Sequence, residues 1–249
     1  MEKCVLSVVM PAYNEASVIK TNLFETIRVL DEFCYDFELI VVDDGSTDGT
    51  YEQIVSISEE DKRVVPVSTP LNAGKGDALK SGVNYTTGTY VAFLDSDLDL
   101  HPSQLKSFMD MMKERNADVV IGSKMHKDSK IDYPMQRRII SHIYFMFLRI
   151  LFRLNIHDTQ TGIKLFKGDL IRGVMKKILV KRFAYDVEVL VLCYRTGAKI
   201  IEHPIELEYK RQNALGRMGL MDLWCSGWDT LAFFYRLYIL KYYDKAGSE

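Results

Sequence analysis

Three carboxylates stand two residues apart in Leu94-Asp95-Ser96-Asp97-Leu98-Asp99, directly behind the apolar run Tyr90–Leu94. Like charges this close raise one another's pKa unless a cation compensates. Hard oxygen ligands suit Mg2+ or Mn2+, ions that commonly bridge a protein carboxylate to substrate phosphates. A metal-diphosphate site is the sharper reading. The competing one is a helix N-terminus, because Pro102 opens a helix and acids are favoured there. That accounts for Asp99 better than for Asp95 or Asp97.

Two further clusters also follow apolar runs. In Val41-Val42-Asp43-Asp44-Gly45-Ser46-Thr47-Asp48-Gly49-Thr50, a carboxylate at a strand end accepts from a base N–H or a ribose hydroxyl, and the glycines let backbone approach a ligand. An ordinary Asp/Gly turn feeding a helix cap explains the same residues. In Asn72-Ala73-Gly74-Lys75-Gly76-Asp77-Ala78, a lysine lies between glycines before a helix, which suits phosphate, although the pattern GxxxxGK[ST] is absent.

The elements that must position these residues are legible from the apolar pattern. Val5–Met10, Phe37–Val42, Val64–Ser68, Tyr90–Leu94 and Val119–Gly122 read as strands buried on both faces, with amphipathic helices between them. This alternation predicts an α/β fold with a mostly parallel sheet flanked by helices and with ligands at the carboxyl ends of its strands. After Ser123 we expect a helix over Arg137–Asn155, a turn-rich stretch His157–Gly162, helices over Asp169–Ile178 and Asp186–Arg195, a strand over Ile200–Glu208 and a final apolar helix pair within Met218–Tyr243. The expected organisation is a catalytic domain over 1–212, with a donor half 1–123 and an acceptor half 124–212, followed by a C-terminal helical extension over 213–249.

The chain has 249 residues and a net charge of −2, which says nothing for a nucleic-acid partner. That average hides an asymmetry: Met1–Ser123 carries −11, Lys124–Arg182 carries +10 and Phe183–Glu249 carries −1. The 4 cysteines show no zinc-ligand or disulfide-framework spacing, and no secretory signal is visible, so the expected compartment is cytosolic. Ile139–Leu154 is too interrupted by polar residues to span a bilayer. Its arginines Arg137, Arg138, Arg149 and Arg153 and its broad apolar surface suit a helix lying on a membrane, and equally a core helix or a dimer contact.

Taken in order, Pro11-Ala12-Tyr13-Asn14-Glu15, Val42-Asp43-Asp44-Gly45-Ser46, Asn72-Ala73-Gly74-Lys75-Gly76 and Asp95-Ser96-Asp97 resemble the inverting family 2 glycosyltransferases of the GT-A fold. Ile121-Gly122-Ser123-Lys124, Arg137-Arg138-Ile139-Ile140-Ser141 and Asp158-Thr159-Gln160-Thr161-Gly162-Ile163-Lys164-Leu165-Phe166 resemble the polyprenyl-phosphate branch. Arg182-Phe183-Ala184-Tyr185-Asp186-Val187-Glu188 is more similar to dolichyl-phosphate β-glucosyltransferases than to dolichyl-phosphate mannose synthases. The resemblance implies a nucleotide-sugar donor, UDP-glucose being favoured, bordered by Pro11, Ala12, Tyr13, Glu15 and Asp43, with Asp44 reading the uracil or guanine. It places Lys75 beside base or phosphate, and Asp95 and Ser96 at ribose or sugar. Asp97 and Asp99 would ligate Mg2+ or Mn2+, and Lys124, Arg137 and Ser141 would bind the acceptor phosphate. Lys124 replaces a usual arginine, exchanging a bidentate donor for a point charge.

A lipid monophosphate, with its second pKa near 6, needs no strong base to attack the anomeric carbon. Asp95 and Asp97 are then the catalytic carboxylates. Asp158 orients the acceptor or sugar, serves as base where the acceptor is a hydroxyl, or simply closes an Asx-type turn. The expected activity is metal-dependent, inverting hexosyl transfer to polyprenyl phosphate by a protein held peripherally on the cytoplasmic face of a membrane. A saccharide hydroxyl acceptor, GDP-mannose as donor, and a non-enzymatic nucleotide-sugar-binding scaffold are the alternatives.

Overall fold

A computed structural model describes residues 5–131, 135–181, 184–207 and 220–245, the side chains of 135–141, 220–224 and 245 lying outside that description. Strands β1 (Leu6–Ala12), β2 (Phe37–Asp43), β3 (Val64–Ser68), β4 (Tyr90–Phe93) and β5 (Val119–Ser123) match the apolar runs. They are joined by α1 (Ile19–Asp31), α2 (Thr50–Glu60), α3 (Lys75–Val83) and α4 (Gln104–Glu114). Beyond β5 come α5 (Met135–Phe152), β6 (Lys164–Lys167), α6 (Gly168–Met175), α7 (Tyr185–Arg195) and β7 (Ile200–Pro204). The C-terminal part holds α8 (Leu220–Phe234), a π-helical turn (Tyr235–Ile239) and α9 (Tyr242–Lys245).

The seven strands lie in the order β3-β2-β1-β4-β6-β5-β7. All pair in parallel except β6, which runs antiparallel to both β4 and β5. Strand β6 is a departure from the sequence expectation, which had no strand there. Its four residues, Lys-Leu-Phe-Lys, are too short and too charged at both ends to carry a strand pattern. Its register sets Lys164 opposite Phe93 and Ile121, so β6 begins at the rim where its neighbours end.

Side chains alternate between two buried layers, as the period of a strand requires. Val9, Ile40, Val42, Phe93, Ile121 and Phe166 face α3, α5, α6 and α7. Leu39, Val41, Ala92, Leu94 and Val120 face α1, α2 and α4. The C-terminal elements join the first layer: Phe233, Leu237 and Tyr243 are buried there, with Phe152 of α5 stacked on Phe233 at 5.1 Å between centroids. The expected boundary at 212/213 lies outside the described residues. Among the described residues, no helix is long and apolar enough to cross a membrane.

Candidate active site

The carboxyl ends of β1 and β2 are stitched together by side-chain caps. Asn14, with φ at 53°, donates its N–H to Ser46 Oγ (2.9 Å) and accepts Thr47 N–H on Oδ1 (2.9 Å). Asp48 accepts the N–H of Ala16 (3.0 Å) on one oxygen, and the N–H and hydroxyl of Thr50 on the other. The Thr50 hydroxyl foremost, with these amides, lowers the Asp48 carboxyl below its ordinary pKa. Pro11 and Ala12 close β1, Tyr13 stands 45% exposed beyond it, and Glu15 is buried.

Both aspartates closing β2 are buried. Asp44 accepts Ala73 N–H (3.1 Å) and Gly74 N–H (2.9 Å), one on each oxygen, and a hydroxyl hydrogen bond from Thr69 (3.1 Å). It therefore shapes the loop before α3. Gly45, at φ +70°, lets that loop close, since a Cβ there would sit 2.7 Å from the Leu71 carbonyl carbon. Asp43 accepts Ser46 N–H (3.2 Å) through Oδ2, while its Oδ1 is buried without a hydrogen-bond partner. An unpaired buried acceptor costs about 1–3 kcal/mol, so its persistence at a loop cluster points to a ligand donor group.

The acidic triplet follows β4 with an alternation of burial. Ser96, Leu98 and Leu100 are buried, while Asp95, Asp97 and Asp99 are half-buried. Leu98 takes a left-handed φ of 54°, a conformation that costs a branched residue on the order of 1 kcal/mol. The turn it makes lets Asp97 Oδ1 accept Asp99 N–H (3.2 Å). Asn22 of α1 braces the turn by donating to the Ser96 carbonyl (2.7 Å). Asp95 is ion-paired with Lys75 at the start of α3. Burial alone would lower the Lys75 pKa, but Asp95, Asp186 and Asp97 together outweigh it and leave the ammonium above its ordinary value.

Among the described residues, no three His, Cys, Asp or Glu side chains converge into a ready-made metal cage. Mg2+ and Mn2+ do not need one, since they are usually held by one or two carboxylates together with waters and substrate phosphates. Half-buried Asp97 and Asp99, both hard oxygen donors at the strand rim, suit such an ion.

The other side of the rim is built by β5, β6 and α7. Asp158, 8% exposed, accepts Lys124 N–H (2.9 Å) and the Thr161 hydroxyl (2.7 Å) on Oδ2, and Gln160 N–H (3.2 Å) on Oδ1. The structure thus shows the Asx-type turn, with Lys124 Nζ 3.8 Å from the same carboxylate. Arg137 and Ser141 lie in α5 where side chains are outside the described residues.

Four groups that the sequence reading gave no role in the site converge here. Gly162 backs directly onto Asp95, for a Cβ would fall 2.1 Å from Asp95 Oδ2. Lys164, 1% exposed, donates to the Thr161 carbonyl and to Asp186 Oδ1 (2.6 Å). Burial raises the Asp186 carboxyl, against the opposing pull of Lys164 and Lys75. Glu202 of β7 accepts the N–H groups of His157 (3.1 Å) and Asp158 (3.2 Å) and meets His157 Nδ1 at 2.7 Å. The usable signal for Asp186 was its place, with Glu188, among the otherwise apolar or aromatic residues of Tyr185–Cys193, where a carboxylate requires a partner.

Comparison with known proteins agrees with this architecture. Residues 7–175 match the model for glycosyl transferase family 2. The glycosyltransferase AglD of Haloferax volcanii is 29% identical over 207 residues, covering 82% of this chain and 33% of that protein. The dolichyl-phosphate β-glucosyltransferase ALG5A of Trichomonas vaginalis is 31% identical over 210 residues, covering 81% and 65%. The chain therefore spans between a third and two thirds of the length of these relatives. Among solved structures, glucosyl-3-phosphoglycerate synthase from Mycobacterium tuberculosis, in complex with Mn2+, UDP and phosphoglyceric acid, superposes with a TM-score of 0.69 at 22% identity, over 93% of this chain and 78% of that one. With the mostly parallel sheet, the capped loops and the acidic turn after β4, these matches show that the chain belongs to glycosyl transferase family 2 and has the GT-A fold.

Proposed function

We propose that this glycosyltransferase moves glucose from UDP-glucose to a polyprenyl phosphate with inversion at the anomeric carbon. The observation that carries this reading is the rim itself: a half-buried acidic turn beside Lys75 on one side of β4, and Lys124 held by Asp158 on the other. The similarity to a dolichyl-phosphate β-glucosyltransferase supports the choice of sugar and acceptor.

In this reading the nucleotide borders Pro11, Ala12, Tyr13 and Glu15. The unpartnered Asp43 Oδ1 accepts from its base or ribose, while Asp44 holds the adjoining loop in shape. Asp95, fixed between Lys75 and Gly162, accepts from ribose or sugar hydroxyls beside Ser96. Asp97 and Asp99 would hold Mg2+ or Mn2+, which supplies neutralisation of the departing diphosphate when bound. The Mn2+ and UDP in the superposable synthase support this assignment. Lys124, with Arg137 and Ser141, meets the acceptor phosphate. A phosphate oxygen forms the new bond to the anomeric carbon as the bond from that carbon to the diphosphate oxygen breaks. The acceptor is already anionic, so positioning does most of the work. Asp158 serves that positioning by fixing the backbone of Lys124.

The protein works at a membrane surface in this reading. Ile143 and Ile150 of α5 are 65% and 75% exposed, and exposed Arg149 and Arg153 lie on the same helix or just past it. Trp228 of α8 is 67% exposed, and Tyr235 is exposed in the turn that follows. Apolar and aromatic side chains beside arginines suit an anionic lipid interface.

The test is direct. Purified protein with UDP-[14C]glucose, Mn2+ and polyprenyl phosphate in detergent should place label in an organic-extractable lipid. Label found only in added saccharide would replace the acceptor, and transfer from GDP-mannose alone would replace the donor.

A further inference from the structure

Glu188 of α7 is wholly buried, and the chemistry above gives it no task. One carboxylate oxygen accepts the N–H groups of Leu179 (3.1 Å) and Val180 (2.8 Å). The other accepts the hydroxyl of Tyr243, a buried residue of α9 far along the chain. A second tie holds the same segment, since Arg195 at the end of α7 pairs with Asp244 at 2.8 Å.

The turn gripped by Glu188 leads straight into the donor side of the rim. Lys181, one residue past Val180, offers its carbonyl to Gly76 N–H (2.8 Å) and Asp77 N–H (3.3 Å), amides in the opening turn of α3. Lys80, further along α3, donates to the carbonyl of Ile178 (2.7 Å) at the start of that turn. The fit is close: a Cβ at Gly76 would lie 2.6 Å from Tyr185 Cβ and 2.8 Å from the Lys181 carbonyl oxygen. Helix α3 begins with Lys75, whose ammonium pairs with Asp95. A continuous chain of hydrogen bonds and contacts thus runs from the C-terminal segment to the lysine of the acidic turn.

We propose that Glu188 is a positioning residue for Lys75, setting the first turn of α3 through the 178–181 turn, and that Tyr243 makes this setting depend on the docking of α9. Burial of an acceptor without its donor is costly, so loss of the Tyr243 hydroxyl leaves Glu188 to find a new partner and loosens its grip on the turn. Discrete, contiguous contacts of this kind carry coupling between distant parts of a fold. The inference rests on the proposed function only in treating the start of α3 as donor-facing.

Hydrogen exchange of the full-length protein tests the positioning without any ligand. In E188A the amides of Gly76 and Asp77 should exchange about tenfold faster than in the wild type, while α1 across the sheet keeps its rates. E188Q should retain protection, because its amide oxygen accepts both N–H groups and its NH2 donates to Tyr243. Y243F should loosen the same amides by a smaller factor, and it decides the question if E188A does not fold. Unchanged exchange at Gly76 and Asp77, or equal acceleration in every element, overturns the proposal. With UDP-glucose and Mn2+ as the probe, Kd should rise about threefold to tenfold in E188A and Y243F and recover in E188Q, with the acceptor KM unmoved. A wild-type protein that fails to bind UDP-glucose removes the donor assignment, and the exchange rates still decide the role of Glu188.

Discussion

In residues 5–123 the carboxylates of the loops after β1 and β2 are spent on backbone amides, whereas in 124–207 a buried carboxylate beside β6 is spent on a lysine. Asp43 caps Ser46, Asp44 holds Ala73 and Gly74, and Asp48 holds Ala16 and Thr50. Past β5, Asp186 grips Lys164, Asp158 has Lys124 beside it, and Glu202 meets His157. An amide-capped carboxylate keeps its full charge while it shapes a loop. A lysine-paired one is neutralised and can be buried as scaffold. The first region, at −11, carries excess negative charge, which in the proposed function faces a metal cation and ligand hydroxyls, with Lys75 as its local counterweight. The second carries +10 over Lys124–Arg182, charge that in the proposed function meets an anionic acceptor and a membrane surface.

Removing charge from the first region should hurt chemistry most. D97A is expected to lower kcat by about 10²–10³-fold in the radiolabel assay, the size of effect seen when one transition-state stabiliser is lost. Its melting temperature should stay close to that of the wild type, and near-normal turnover would show that the acidic turn is only a helix cap.

Removing charge from the second region should hurt stability instead. D186A strands buried Lys164 and is expected to cost about 3–5 kcal/mol in urea denaturation, whereas K164M/D186L recovers most of that loss. D44A frees two amides and the Thr69 hydroxyl but strands no cation, and should cost about 1–3 kcal/mol. Equal losses in D186A and D44A would erase the distinction between the two regions.

Gly162 belongs to the second region yet backs onto Asp95 of the first, so it tests the border between them. G162A should raise the donor KM and destabilise the fold by about 1–3 kcal/mol, as overpacking does, because the new methyl displaces the Asp95 carboxylate.

The smallest effect concerns pH. Burial raises the Glu188 carboxyl above its ordinary 4.5, so the folded state holds that proton more tightly than the unfolded chain. The associated stability is complete below the unfolded value and is lost as pH rises through the folded one. Melting temperatures of wild type and E188Q measured from pH 4 upward should therefore diverge slightly in favour of E188Q. A gap that closes with rising pH would reverse the sign.

The first region was readable from sequence because its strands are runs rich in branched or aromatic residues, largely buried on both faces except in the edge strand β3, and its polar clusters follow those runs. The capping geometry was not readable: nothing in Asp43-Asp44 tells which carboxylate holds the loop and which has an oxygen to spare. In the second region the pattern misleads. Lys164 is among the most buried side chains in the molecule, because Asp186 lies 22 positions further on and meets it there. Gly162, Asp186, Glu188 and Glu202 act through partners remote in the chain, and local periodicity carries no trace of such pairings. Asp158 shows the limit at single residues, since the same Asp-Thr-Gln-Thr pattern serves a turn or a base until its oxygens are located.

The reversed strand has a consequence for how the polypeptide reaches this shape. Strands β1 to β4 find their neighbours among segments already made, but β5 lies beyond β6, the strand that follows it in the chain. A nascent polypeptide that has emerged only as far as residue 123 therefore has β5 waiting with no lane to enter, and β4 with one flank bare. The seam is closed from inside by the strand laid between them, so assembly of the β4–β6–β5 seam waits until residue 167 is available.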